Sequence, residues 1–192
     1  MKPVHKDDIP RYTSGAKNWT DYIKAGRYSV RVRIEPDDCM LEPWKEQDGH
    51  GPVSEWRRKD SKAPGERILC EDRGQALFYD FAAAVALARK DGWDTPPYKT
   101  GTAGECAARA AEADFDRLRR YCAGDWYYVS VGVELSLAGD VLAMDWIGGV
   151  ESDGDWWREC AADMANDAIH TSETERRERK FWEARDVQTI GA

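Results

Sequence analysis

The sequence predicts an α+β fold, with one antiparallel sheet of about five strands, helices packed on one face and a further helix at the C-terminus. Three observations lead there. Strand-like segments come in adjacent pairs joined by tight turns, at "ERILCEDRGQALFY" and at "WYYVSVGVELSLAGDVLAMDWIGGV". Two well-marked helices are grouped between those pairs instead of alternating with single strands. The 192 residues are 42% hydrophobic and include nine Trp, eight Tyr and four Phe, enough for a core.

In chain order, "NWTDYIKAG" reads as a short helix closed at Gly26, where a residue without Cβ can take a left-handed cap. "RYSVRVRIEP" alternates. Tyr28, Val30, Val32 and Ile34 share one face and Arg27, Ser29, Arg31 and Arg33 the other, so a half-buried strand with a basic outer face runs up to Pro36. Residues 36–65, rich in Pro, Gly and Asp, read as a long loop. "ERILCE" and "QALFY" follow as a hairpin turning at Asp72–Gly74. Asp80 is the expected N-cap of "FAAAVALARKDGW", with Gly92 as its stop. "TPPYKTG" breaks the chain. Thr102 and Glu105 have capping-box spacing and open a helix to about Ala123, with Ala107, Ala111, Phe115, Leu118 and Cys122 toward the core.

The segment 124–157 contains four tryptophans and seven acidic residues, and no Lys, Arg or His. It reads as a hairpin turning at "LAGDV". Tyr127, Val129, Val131, Val133, Leu135 and Leu137 face the core. Trp126, Tyr128, Ser130, Gly132, Glu134 and Ser136 form an outer, wet face. From about Asp153 a helix passes through Trp156, Trp157, Cys160, Met164, Ala168 and Ile169. Residues 1–170 are expected to form a single α+β domain. Residues 171–192, including "TSETERRERK" before "FWEARD", are expected as a polar C-terminal helix or arm, and a homodimer through this segment and a tail that folds on a partner both stay open.

Charge is unevenly spread. Residues 1–99 carry 18 basic and 17 acidic side chains, whereas 100–192 carry 10 and 19. The net charge of −8 disfavours bulk attraction to nucleic acid or anionic lipid. The start, "MKPVHKDDIPRY", has no apolar region, so no secretory signal is expected. The longest apolar run, "FAAAVALA", is far too short for a bilayer. The five scattered cysteines suit a reducing compartment, and a cytoplasmic protein without membrane contact is expected.

No motif names a reaction. A metal site at His50, Asp48 and Cys39 lacks ligand spacing, and no cofactor is expected. Cys106 sits in a first helical turn but reads as a small buried residue. Asp37 with Asp38, Glu151 with Asp153, and Asp153 with Asp155 could pair as acid and base. For Asp153 and Asp155, helix capping is the plainer reading. "GTAG" lacks the length and the lysine of a phosphate loop. Two surfaces remain. The first is acidic and aromatic: Asp125, Trp126, Tyr128, Glu134, Asp140, Glu151, Asp153 and Asp155, suited to a basic groove on a partner or merely solubilising. The second, less favoured, would bind nucleic acid through Arg27, Arg31, Arg33, Arg57 and Arg58 with Trp19, Trp44 and Trp56. The competing reading has those arginines salt-bridged to neighbouring acids.

The block "HGPVSEWRRKDSKAPGERILCEDRGQALFYDFAAAVALARKDGW", followed by "AEADFDRLRRYCAGDWYYVSVGVELS" and a later "GVES" turn, resembles a group of small proteins of tailed bacteriophages and prophages. In that group a WR–loop–FYDF–helix–DGW block precedes an EADFxRLR helix and a WxYVxVxV strand. The resemblance spans roughly residues 50–137 and carries no catalytic signature. It implies a phage accessory protein in the host cytosol. By analogy it implies a non-enzymatic, anti-CRISPR-like inhibitor that binds a host protein or ribonucleoprotein defence complex. The acidic, Trp-rich surface would then occupy a basic nucleic-acid-binding groove.

Overall fold

The computed structural model describes residues 3–11, 19–46, 49–93 and 101–190, the last seven as backbone only. The class is α+β with antiparallel sheets and a C-terminal helix, as expected. The strands sort into two sheets, of four strands and three. By its contacts the chain divides into two compact units, one of residues 1–37 and 128–192, the other of residues 38–127.

The first unit holds β1 (Ile23–Ala25), β2 (Tyr28–Pro36), β6 (Tyr128–Leu137) and β7 (Asp140–Glu151), in the order β1-β2-β6-β7. Its last element is α4 (Trp156–Ile190), one continuous helix through the polar segment. β1 replaces the short helix expected over residues 18–26. Thr20 accounts for the difference: its backbone N–H donates to the Val32 carbonyl and its hydroxyl accepts from the Val32 N–H, which draws this segment along β2. Gly26, at φ 64°, then makes the turn instead of a helix cap.

β2 alternates as its sequence requires, with Tyr28, Val30 and Val32 buried. These residues face Val133, Leu135 and Leu137 of β6, and α4 covers that side, where the Tyr28 hydroxyl donates to Glu173. Trp157, Ala161, Ala165 and Ile169 form the buried stripe of α4. The N-terminal segment is tied to the same helix. Asn166 exchanges two hydrogen bonds with the Val4 backbone, and buried Arg158 donates to the Ile9 carbonyl. At the far end of β7, the Asp37 carboxylate accepts from Ser130 and from the Gly149 N–H. A Cβ at Gly148 would stand 2.5 Å from that carboxylate oxygen, and Gly149 takes φ 69°, which together explain the glycine pair at this bulge.

The wet outer face expected on β6 is not there. Tyr128, Glu134 and Ser136 are as buried as the valines that alternate with them. β6 is a central strand, hydrogen-bonded to β2 and β7, and its second face is covered as well. The Trp146 indole lies so close over Gly132 that a Cβ there would meet its carbons at 2.7 Å.

The second unit holds α1 (Pro43–Glu46), β3 (Arg57–Arg58), β4 (Glu66–Asp72), β5 (Gln75–Asp80), α2 (Phe81–Asp91) and α3 (Ala103–Cys122). Its sheet order is β3-β5-β4. The loop expected over 36–65 therefore contains a helical turn and a strand, recruited by pairing with β5. The β4–β5 hairpin and both helices lie where the sequence places them. Asp80 caps α2 through the Ala83 N–H, Gly92 closes it at φ 68°, and Thr102 and Glu105 form the capping box of α3. Leu69, Leu77, Tyr79, Ala84, Ala111, Phe115 and Leu118 make the core.

Candidate interaction surface

The eight residues of the acidic and aromatic surface do not converge. Trp126 is 1% exposed in the second unit, with its indole N–H donating to the Arg117 carbonyl and the Arg117 guanidinium 4.6 Å over its ring. Asp125 is exposed beside it, 4.0 Å from Arg120. Tyr128 and Glu134 are interior to the first unit. Glu134 is 4% exposed and accepts three hydrogen bonds of 2.7–2.9 Å from the Arg31 guanidinium. Trp126 is turned inward by its contacts with nearby α3, whereas Tyr128 and Glu134 are buried by strand pairing and packing far along the chain.

Asp155 accepts from Arg158 and from Arg11 at 3.0 Å each. The Arg158 hydrogen bond, helped by the charge of Arg11, holds its carboxyl below the usual range. Glu151 and Asp153 are half-buried near the end of β7, and Asp140 is exposed at its start. A twelve-residue strand separates Asp140 from Glu151 by roughly 35 Å.

The five arginines of the alternative surface are engaged too. Arg27 pairs with Glu173, Arg31 with Glu134, Arg33 with Glu35, Arg57 with Glu66 and Arg58 with Asp60. The Glu173 carboxyl is held low chiefly by its hydrogen bond from Arg27. Arg27, Arg31 and Arg33 belong to the first unit and Arg57 and Arg58 to the second. A phosphate would have to displace a carboxylate at each.

Among the described residues no group of three or more His, Cys, Asp or Glu is arranged to hold a metal ion, and no helix is long and apolar enough to cross a membrane. Asp48 lies outside the described residues. Cys106 stands at the start of α3 with the Arg109 guanidinium 3.4 Å from its sulfur. The Cys122 thiol is pushed up to about 12, first by burial and then by neighbouring Cys70, which removes it as a nucleophile.

What the fold does assemble is β7. It stands at the end of the four-stranded order, so among the described residues it has a strand partner on one side only. Val141, Leu142, Met144, Trp146 and Ile147 are 55%, 46%, 54%, 39% and 42% exposed along it. Its charged residues, Asp140, Asp145 and Glu151, are all acidic. Trp146 and Met144 stand on one face, opposite Gly132 and Glu134, and Ile147 and Asp145 on the other, opposite Val131 and Val133. The Trp146 ring is steadied edge-on by Trp19 at 5.9 Å, and Trp19 and Tyr22 bracket the Arg31 guanidinium.

In the sequence this segment reads only as the returning strand of the hairpin, with no surface assigned to its apolar residues. A signal was present: "VLAM" and "WI" do not alternate, as a strand with one dry and one wet face should. Comparison with protein-family models, curated proteins and solved structures finds no match, so the side chains themselves carry the functional reading.

Proposed function

We propose that this chain is a binding protein that takes up an extended, basic and apolar segment of a partner protein along β7 by strand addition. One observation carries the reading: β7 is a long edge strand with five exposed large apolar side chains and only acidic charges. Such edges are normally blunted by lysine, proline or a covering element. Here the apolar side chains offer pockets and ridges to alternate residues of an added strand, and the acids select lysine or arginine between them. A second copy is the poorer fit, because antiparallel pairing of β7 with itself brings its own acids toward each other. In the setting that the phage resemblance implies, the partner belongs to a host defence complex, and the chain acts as an inhibitor at a basic groove.

The test uses a fluorescein-labelled peptide of about ten residues alternating Lys and Val, with a Glu–Val peptide as control. Anisotropy should show binding of the basic peptide alone, weakening with ionic strength. Ile147→Lys and Asp145→Lys should each reduce affinity about tenfold or more, with folding unchanged because both sites are exposed. Equal binding of the acidic peptide, or full affinity in both variants, refutes the reading. So does sedimentation of the free protein as a dimer with β7 amides protected from exchange.

A further inference from the structure

In the second unit a cleft of about 640 Å³ is bordered by Gly49, His50, Trp93 and three charged residues of α3, Asp116, Arg117 and Arg120. That volume lies within the usual range for small-molecule sites. At its inner wall is Asp114, almost fully buried, on which the adjacent His50 and Gly51 converge with Tyr79 from β5. The Gly51 N–H donates to one carboxylate oxygen at 2.8 Å and the Tyr79 hydroxyl to the same oxygen at 2.7 Å. His50 Nδ1 stands 2.5 Å from the other oxygen.

Tyr79 is fully buried, and burial, with Asp114 beside it, pushes its phenol far above the ordinary value, so it remains a donor. With both neighbours donating, the carboxylate acts as acceptor throughout. It therefore holds a proton on His50 Nδ1 and fixes the ring, which borders the cleft.

The arrangement has exacting requirements. A Cβ at Gly51 would lie 2.5 Å from the Tyr79 ring and 2.6 Å from the Ala84 Cβ, so only glycine brings the loop this close to Asp114. A carboxylate that merely pinned the loop would be served by Gly51 and Tyr79 alone. Here it also fixes the ring of a histidine at the mouth of a cleft, the role that a buried carboxylate has beside a working imidazole. Asp114, Arg117 and Arg120 recur every three residues on α3, and both arginines border the cleft, Arg117 with its guanidinium over the Trp126 ring and Arg120 4.0 Å from Asp125.

We infer that this cleft binds a small phosphate-bearing ligand, with Arg117 and Arg120 opposing its charge, the Trp93 indole flanking its organic part and His50 hydrogen-bonding a phosphate oxygen. Asp116 at the rim favours a ligand of low net charge, a monoester over a polyphosphate. This site is in a different unit from β7 and stands independently of the binding reading above.

Nitrogen-15 and carbon-13 NMR of the three histidines tests it, with inorganic phosphate and phenyl phosphate as probes and chloride at matched ionic strength as control. The free protein should show His50 protonated on Nδ1. Phenyl phosphate should shift His50 saturably, leave His5 and His170 unmoved, and change Trp93 fluorescence. Arg120→Gln, at an exposed position that does not endanger folding, should weaken binding about tenfold. A His50 without a proton on Nδ1, a shift no larger than that of His170, a chloride response equal to phosphate, or unchanged affinity in Arg120→Gln each overturns the proposal.

Discussion

Truncating Glu134 to Ala should destabilise the protein by about 2–3 kcal/mol, although the residue reads as a surface acid in the sequence. The reasoning starts from the Arg31–Glu134 pair, which buries the carboxylate almost completely and leaves 27% of the arginine side chain exposed. Removing one partner of a fully buried pair costs about 3–5 kcal/mol, because the other charge is left without compensation. Water can reach part of Arg31, and its guanidinium keeps the faces of Trp19 and Tyr22, so the cost falls at or just below the bottom of that range.

In urea, with a slope of about 2 kcal/mol per molar, the unfolding midpoint should fall by roughly 1–1.5 M. Glu134→Gln, which keeps an acceptor, should fall about half as far. Replacing both partners, Arg31→Met with Glu134→Leu, should recover most of the loss, since no isolated charge remains. Circular dichroism of the four proteins decides it. A Glu134→Ala midpoint within about 0.3 M of the parent, or a double variant less stable than the single, would show that the carboxylate is not buried as described.

Ala138 turns the β6–β7 hairpin at φ 55°, ahead of Gly139 at φ 99°, a conformation that costs an alanine about 1 kcal/mol. Ala138→Asn should therefore raise the melting temperature by about 2–3 °C, and Ala138→Val should lower it, in a calorimetric scan. Acid should destabilise through Asp155 and Glu173, whose folded-state values lie below their ordinary 3.8 and 4.5. Their contribution is fully present above the unfolded values and is lost as pH falls through them toward the folded ones. The melting temperature should hold from pH 7 to about 5 and then decline, and Asp155→Asn should decline less steeply below that point.

The elements that the sequence discloses are those made by neighbours along the chain. Asp80, Gly92, Thr102 and Glu105 cap helices through groups three or four residues away, and the two hairpins are written in adjacent strands and their turns. What it conceals is set by distant partners. Tyr28 pairs with Leu137 across more than a hundred residues, and that pairing makes β6 central, buries Glu134 and leaves β7 at the edge. Alternation predicts that β6 has two faces. Which of them water reaches depends on Trp19, Arg31 and Trp146, none of which is local to it. The His50–Asp114–Tyr79 cluster is hidden for the same reason, since its members stand in a loop, a helix and a strand with no shared spacing.

The acidic excess of the C-terminal half is therefore a poor map of a binding face. Glu134, Asp155 and Glu173 already answer Arg31, Arg158, Arg11 and Arg27 inside the first unit. The acids that stay exposed on β7 itself are Asp140 and Asp145, which flank or interrupt its apolar side chains. At an edge strand these two charges do more than solubilise. They set copies of the chain against one another, where the same edge made of Val, Leu, Met, Trp and Ile alone would invite self-pairing. Toward a lysine- or arginine-bearing strand the sign of that interaction reverses. One pair of carboxylates can thus keep the edge open and choose what closes it, so Asp145→Asn should raise self-association as it weakens the basic peptide.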